Sequence, residues 1–472
     1  MNLIARVTLA QSARYSNSIC VSELFPSRRL ASSRVVRIHT TITQRRSIAI
    51  KRPKELRYRR PCLDSVEDVE KYRSGGYHPI HLGDVLKGGR YLVLHKLGYG
   101  GFSTVWLARD QHQDKLVSLK VLTAEASRNP TELKLLRHLD EHSYANPCRS
   151  SINATLDDST INGPNGMHLC YVSQPGGPSL AALIDSPDEV AGTRRLRAPL
   201  ARTLSRQLAN AVSFMHDVGV VHGDITPKNV LLQLKGIDAW PAETIYQQVG
   251  RPVRDEVLKS SGQKPDLAAP EHLVEPASFS CVDSEYISEQ VLLIDLGEAF
   301  LEGSPPPNGV GTPVSYRSPE LILESKAGRA SDIWALACTV FEMRAGFPLF
   351  ESFLGSSDEI LEEIVRILGM PPKTFHSLRK KIGITMTDHA HLHGSTLSDR
   401  IGEIGMYDEE SSDGDSDVAS VNQHPLLEPC GRRVARDEAI DLSDLLQEML
   451  DYTPKNRLSA EEVAKHPWLH PS

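Results

Sequence analysis

The sequence predicts an α+β chain of two lobes, a small β-rich one leading into a larger, mainly helical one. Three observations carry this. Residues 91–122 alternate with the period of strands around a Gly-rich turn, YLVLHKLGYGGFSTVWLARD followed by LVSLKVL. The next apolar strand, HLCYVSQ at 168–174, is ended by PGGP at 175–178. Beyond that punctuation, apolar residues recur at helical spacing in long segments, at 200–218, 331–343 and 358–369.

Taken in order, residues 1–60 are rich in Arg and Ser and hold 14 Lys and Arg against two acids, a balance of +12. The rest of the chain carries 39 bases against 58 acids, or -19. Such a tail suits a mitochondrial transit peptide or a disordered basic arm, and KRPKELRYRR at 51–60 suits a nuclear localisation patch. The address is therefore mitochondrial on the first reading, cytoplasmic or nuclear on the others. Residues 61–90 form a lead-in. The β-rich lobe spans 91–173, with TELKLLRHL at 131–139 setting Leu133, Leu136 and Leu139 on one side of a helix. A hinge follows at 174–178, and the helical lobe spans 179–470. Within it, residues 233–288 are polar, Pro-containing and weakly patterned, which predicts a surface excursion. The acidic, Ser-rich run DEESSDGDSD at 408–417 is expected to be disordered.

Composition bounds the function. Apolar content of 40% and charged content of 24% are ordinary for a soluble globular protein. The longest apolar runs fall well short of a membrane span. Seven scattered cysteines without CxxC pairs argue against a disulfide scaffold and a zinc site. An acidic body repels nucleic acid, and the tail has few aromatics, so no direct nucleic-acid partner and no membrane partner is expected. The chain is expected to act as a monomer.

The residues that carry chemistry fall at spaced points. Gly98, Gly100 and Gly101 on a hairpin let backbone N–H groups approach phosphates without Cβ interference. Lys120, on the next strand, can hold phosphates if a carboxylate fixes it, and Glu132 on the following helix is the candidate. In VVHGDITPKNV at 220–230, Asp224 can accept the proton of an attacking hydroxyl and Asn229 can hold a metal ion. Asp295, at the end of the apolar strand QVLLIDLG, is a suitable Mg²⁺ ligand. Each acid alone is more often a turn or cap residue; their joint order is not readily a coincidence.

That order, Gly-rich loop, strand Lys, helix Glu, HxDxxxxN, DxG and SPE at 318–320, resembles the eukaryotic protein kinases over roughly residues 80–470. YRSPE at 316–320 resembles the CMGC group. GGYHPIHLGDVLKGGRYLVLHKLGYGGFSTVWLARD at 75–110 is similar to the SR-protein kinase (SRPK-like) family, whose members also use DLG and split the domain with a spacer after the catalytic loop. The resemblance implies a bilobal protein kinase fold with a small N-lobe and a larger C-lobe, and a Ser/Thr protein kinase using ATP and Mg²⁺. It implies ATP contacts from Leu97, Gly98, Gly100, Gly101, Phe102, Ser103, Val105, Lys120 and Glu132, with Ser173 as gatekeeper and Gln174 and Gly176 offering backbone groups to adenine. It places metal at Asn229 and Asp295, Asp332 beneath the catalytic loop, and Arg457 in a salt bridge to Glu320. The implied substrate is Ser in basic Arg/Ser-rich segments, which the -19 charge of the body independently suits.

Three departures stand against the pattern. Thr226 replaces the Lys that most Ser/Thr kinases carry two residues after the catalytic Asp. Lys228 is then either the substitute cation or a solvated loop lysine. Gly223 replaces the Arg that grips a phosphorylated activation loop, which implies activity without that modification. Thr312-Pro313 is offset by one residue from the Thr that the family places before the substrate-binding turn. The competing reading is a pseudokinase scaffold that binds nucleotide or basic partners without efficient transfer.

Overall fold

A computed structural model describes residues 56–143, 146–185, 194–279, 282–307, 309–373, 375, 396–406, 425–429 and 431–470. The basic tail as far as residue 55 and the acidic run at 408–417 lie outside the described residues.

Strand-forming sequence around the Gly-rich turn builds the small lobe. Strands β1 (Val85–Leu86), β2 (Tyr91–Tyr99), β3 (Ser103–Asp110), β4 (Lys115–Leu122), β5 (Asp157–Gly163) and β6 (Gly166–Ser173) form one antiparallel sheet in the order β1-β2-β3-β4-β6-β5. Register brings Lys120 of β4 between Val105 of β3 and Tyr171 of β6. One face of the sheet packs Val93, Trp106, Val117 and Leu119 into a local core. The other receives helix α1 (Thr131–Glu141), which buries Leu133, Leu136 and Leu139 together with Leu135 and Glu132. Glu132 is a buried acid in a first turn, where the helix dipole favours negative charge.

Strand β6 ends at Ser173, and β7 (Gly176–Ser179) begins after Gln174 and Pro175. The large lobe continues with α2 (Leu180–Asp185) and the 20-residue α3 (Ala198–Asp217). Strands β8 (Val220–Val221) and β9 (Val230–Leu234) bracket the stretch that carries Asp224 and Asn229. Then come α4 (Ala242–Val249), β10 (Arg254–Glu256), β11 (His272–Val274), β12 (Ile287–Leu293) and β13 (Phe300–Leu301). Strands β12, β9 and β7 form a sheet in that order, and β13 pairs with β8. Helices α5 (Pro319–Glu324), α6 (Arg329–Ala345), α7 (Ser357–Leu368), α8 (Leu397–Gly402), α9 (Arg436–Met449) and α10 (Ala460–Lys465) complete the lobe. Helix α6 is buried from Ser331 to Ala345, which accounts for its apolar content on every side. No helix among the described residues is long and apolar enough to cross a membrane.

The segment 233–288 differs from the surface excursion that its composition suggests. It buries Ile237, Trp240, Ile245 and Val249 in the core of the large lobe. It then places Val257, Ala269 and Leu273 in a separate cluster with Tyr58, Val69, Tyr72 and Tyr77 of the lead-in. Backbone bonds join the two, Arg59 N to Leu258 O at 2.8 Å and Ser260 N to Arg57 O at 2.9 Å. Beneath this cap, buried Lys96 pairs with buried Glu67, whose other oxygen accepts from Tyr72 Oη at 2.6 Å. The apolar residues of the segment arrive singly from loops and three-residue strands, so they display no period to read.

Candidate active site

The stretch 220–230 is shaped by contacts that lie far away in sequence. Asp332, near the start of α6 and 1% exposed, accepts from His222 N at 2.8 Å and Gly223 N at 2.9 Å, with His216 Nε2 at 3.0 Å. A carboxylate spent on two backbone N–H groups fixes the turn's path. Gly223 has φ +78°, and a Cβ there would stand 2.7 Å from Glu298 O, so no larger residue fits without movement. His222 Nδ1 accepts from Asp224 N at 3.2 Å, which leaves its Nε2–H for Ile294 O, also at 3.2 Å.

Asp224 is held from one side only. Its Oδ2 accepts from Asn229 Nδ2 at 2.7 Å, and its backbone oxygen accepts from the same group at 2.9 Å. Its Oδ1 is buried and has no hydrogen-bond partner among the described residues. Burial pushes this carboxyl above the usual range, against His222 and the Asn229 bond, while the charge of Asp295 adds to the rise. An acceptor with one unpartnered oxygen is what a proton-abstracting group requires.

Lys120 Nζ lies 2.8 and 2.7 Å from the two Glu132 oxygens and 2.9 Å from Asp295 Oδ1. Burial opposes its charge, but Glu132, Tyr171 and Asp295 outweigh that and hold the ammonium well above the ordinary lysine range. Lys120 in turn holds Asp295 below the usual carboxylate range, against burial. Asp295 has φ 63°, a left-handed conformation uncommon outside glycine that turns its half-exposed carboxylate toward Lys120. Asn229 spends its Nδ2 on Asp224, so its amide oxygen remains for a cation. With Asp295 it makes an all-oxygen donor pair suited to a hard divalent ion.

One cavity of about 960 Å³ gathers most of the residues singled out by sequence. Leu97, Gly98, Gly100, Ser103 and Val105 line it from the hairpin, and Lys120 and Glu132 from behind. Ser173, Gln174 and Gly176 line it from the hinge, and Lys228, Asn229 and Asp295 from below. Gly101 and Phe102 lie at the hairpin tip, off the wall, with Phe102 70% exposed. Asp224 is also off the wall but bonded to Asn229, which is on it. Thr226 is buried, whereas Lys228 is exposed and has no ion pair among the described residues. Behind the site, Arg457 donates to Glu320 at 2.7 and 2.8 Å, with its guanidinium 4.9 Å from the Trp334 ring.

Sequence reasoning missed several groups. Tyr77 Oη donates to Gly100 O at 2.6 Å, tying the lead-in to the Gly-rich hairpin. Ser65 and residues 275–279 also line the cavity. Nothing in their spacing marks them.

The comparisons agree with this geometry. The protein kinase domain family matches residues 91–276 and 282–469, interrupted only within the inserted segment. Protein kinase dsk1 of Schizosaccharomyces pombe is 28% identical, over 85% of this chain and 85% of that protein. The serine/threonine-protein kinase SRPK of Physarum polycephalum is 28% identical over 85% and 91%. The human SRSF protein kinase 3 is 24% identical over 86% and 90%. The chain belongs to the protein kinase family, and within it to the SR-protein-kinase-like serine/threonine kinases of the CMGC group.

Proposed function

We propose that the chain transfers the γ-phosphoryl group of ATP to Ser side chains in basic, Arg/Ser-rich segments. The observation that carries the reading is the unpartnered, buried Oδ1 of Asp224 beside an otherwise complete set of phosphate-binding groups. Asp224 orients the Ser hydroxyl and takes its proton as the Ser oxygen bonds to the γ-phosphorus and the bond to the ADP oxygen breaks. Lys120, positioned by Glu132, holds the α- and β-phosphates, and the hairpin glycines present N–H groups to them. Asn229 and Asp295 would hold Mg²⁺, which when bound neutralises charge on the phosphate oxygens. Lys228 takes the part of the missing cation at position 226. Its place on the wall of the cavity that Lys120, Asn229 and Asp295 also line supports that role, whereas Thr226 is buried and off the wall.

The substrate class rests on charge. The -19 balance after residue 60 attracts a cationic segment, and Asp358 and Glu362 stand exposed on α7. The test is phosphate transfer from labelled ATP and Mg²⁺ to an Arg-Ser repeat peptide and to the same peptide with Gln for Arg. We expect strong preference for the Arg-Ser peptide at low salt, shrinking as ionic strength rises. Equal rates on both peptides would remove the basic-substrate reading, and no transfer to either or to generic basic proteins would favour the scaffold.

A further inference from the structure

Residues 274–279 carry the inserted segment from the small lobe back to the large one. Val274 is buried in the sheet core with Val93 and Trp106. Glu275 N donates to Val253 O at 3.0 Å, and Ala277 N donates to Lys96 O at 2.8 Å, next to Leu97 on the cavity wall. Phe279 then packs against the core of the large lobe. This strap is therefore anchored at both ends, and Glu275, Ala277 and Phe279 line the same cavity as Leu97 and Gln174. Glu275 is a partly exposed residue, and its side chain has no hydrogen-bond or ion-pair partner among the described residues.

We propose that the strap is a third wall of the nucleotide site and that Glu275 accepts a hydrogen bond from a ribose hydroxyl. This rests on the kinase reading of the cavity. The phosphates belong at the end that holds Lys120 and Lys228, because a carboxylate repels them and those ammonium groups attract them. The strap lies instead against Lys96, next to Leu97 on the cavity wall, and the base and sugar must then sit there. A carboxylate can only accept, and the ribose hydroxyls are the donors that a nucleotide offers there besides the base amino group. Pro276 has no N–H, and the Ala277 N–H is spent on Lys96. Phe279 supplies the apolar part of the wall.

The test is ADP binding to the full chain by calorimetry, alongside 2′-deoxy- and 3′-deoxy-ADP, for wild type, Glu275→Leu and Phe279→Ala, with Tm recorded for each. Wild type should bind one deoxy analogue about tenfold more weakly than ADP, the scale of one hydrogen bond to a charged group. Glu275→Leu, which removes the acceptor, should weaken ADP by about that factor and abolish the discrimination at unchanged Tm. Phe279→Ala should weaken all three nucleotides alike. Unchanged affinities in both variants would overturn the wall, and equal weakening of ADP and both analogues in Glu275→Leu would overturn the hydroxyl contact. ADP binding needs no catalysis, so a wild type that binds ADP but transfers no phosphate would count against the kinase reading and leave the strap standing.

Discussion

Two carboxylates in different regions of the molecule, one fully buried and one partly so, are treated in opposite ways. Glu67, in the cap, is 1% exposed and spends both oxygens, one on Lys96 and one on Tyr72 Oη. Asp224, in the cleft, has one oxygen on Asn229 and the other on nothing. Burial costs both groups solvation. In the cap that cost is offset by partners and the result is rigidity. In the cleft it is left standing for one oxygen, and burial holds the carboxyl above its ordinary value. The fold supplies partners for every oxygen of Glu67 and, among the described residues, leaves one oxygen of Asp224 without any.

The comparison can be broken most sharply at Asp224. Asp224→Asn should cut phosphoryl transfer by about 10³-fold. Because the folded pKa of Asp224 is raised, charging it costs stability above that pKa. The variant should therefore melt at or above the wild-type temperature at neutral pH. Glu67→Ala should do the reverse. It strands Lys96 in the interior and should lower the unfolding free energy by about 3 kcal/mol in urea titrations. Lys228→Ala sharpens the cleft side, with an expected loss of about 100-fold in kcat if the lysine serves the transferring phosphoryl group, and no loss if it is merely solvated. Next comes pH. The rate should fall as pH drops through the raised pKa of Asp224, so the acid limb should lie above the ordinary aspartate range and vanish from the residual activity of Asp224→Asn.

The smallest effect concerns the activation segment. Thr312 Oγ1 donates to Gly223 O, and Gly311 N donates to Glu298 Oε2 at 2.6 Å, so the segment is tethered without a phosphate. Phosphatase treatment of active protein should change its rate by less than about twofold, since no arginine at position 223 awaits a phosphate.

Much of the cleft was legible in sequence because its chemistry is carried by residues at short fixed spacings within single elements. Asp224 and Asn229 lie five apart on one turn, and the glycines share one hairpin. The strand and helix patterns around Lys120 and Glu132 are local too, and register brings those two to 2.7 Å. The cap was not legible. Glu67 meets Lys96 across 29 residues, and the strap meets β2 from a segment that reads as polar loop. Its buried side chains are dictated by the surface they land on rather than by a period of their own. Gly223 shows both limits at once. The missing arginine was plain, but the reason only glycine fits, the approach of Glu298 O, is a tertiary fact.

If the unpartnered oxygen of Asp224 takes the substrate proton, the cleft transfers phosphate despite Thr226. The direct measurement is transfer rate from labelled ATP and Mg²⁺ to an Arg-Ser peptide together with Tm, on wild type and Asp224→Asn in parallel. The account predicts transfer by wild type, its loss in the variant, and an equal or higher Tm for the variant. A folded wild type that binds nucleotide yet transfers no more phosphate than Asp224→Asn would contradict it.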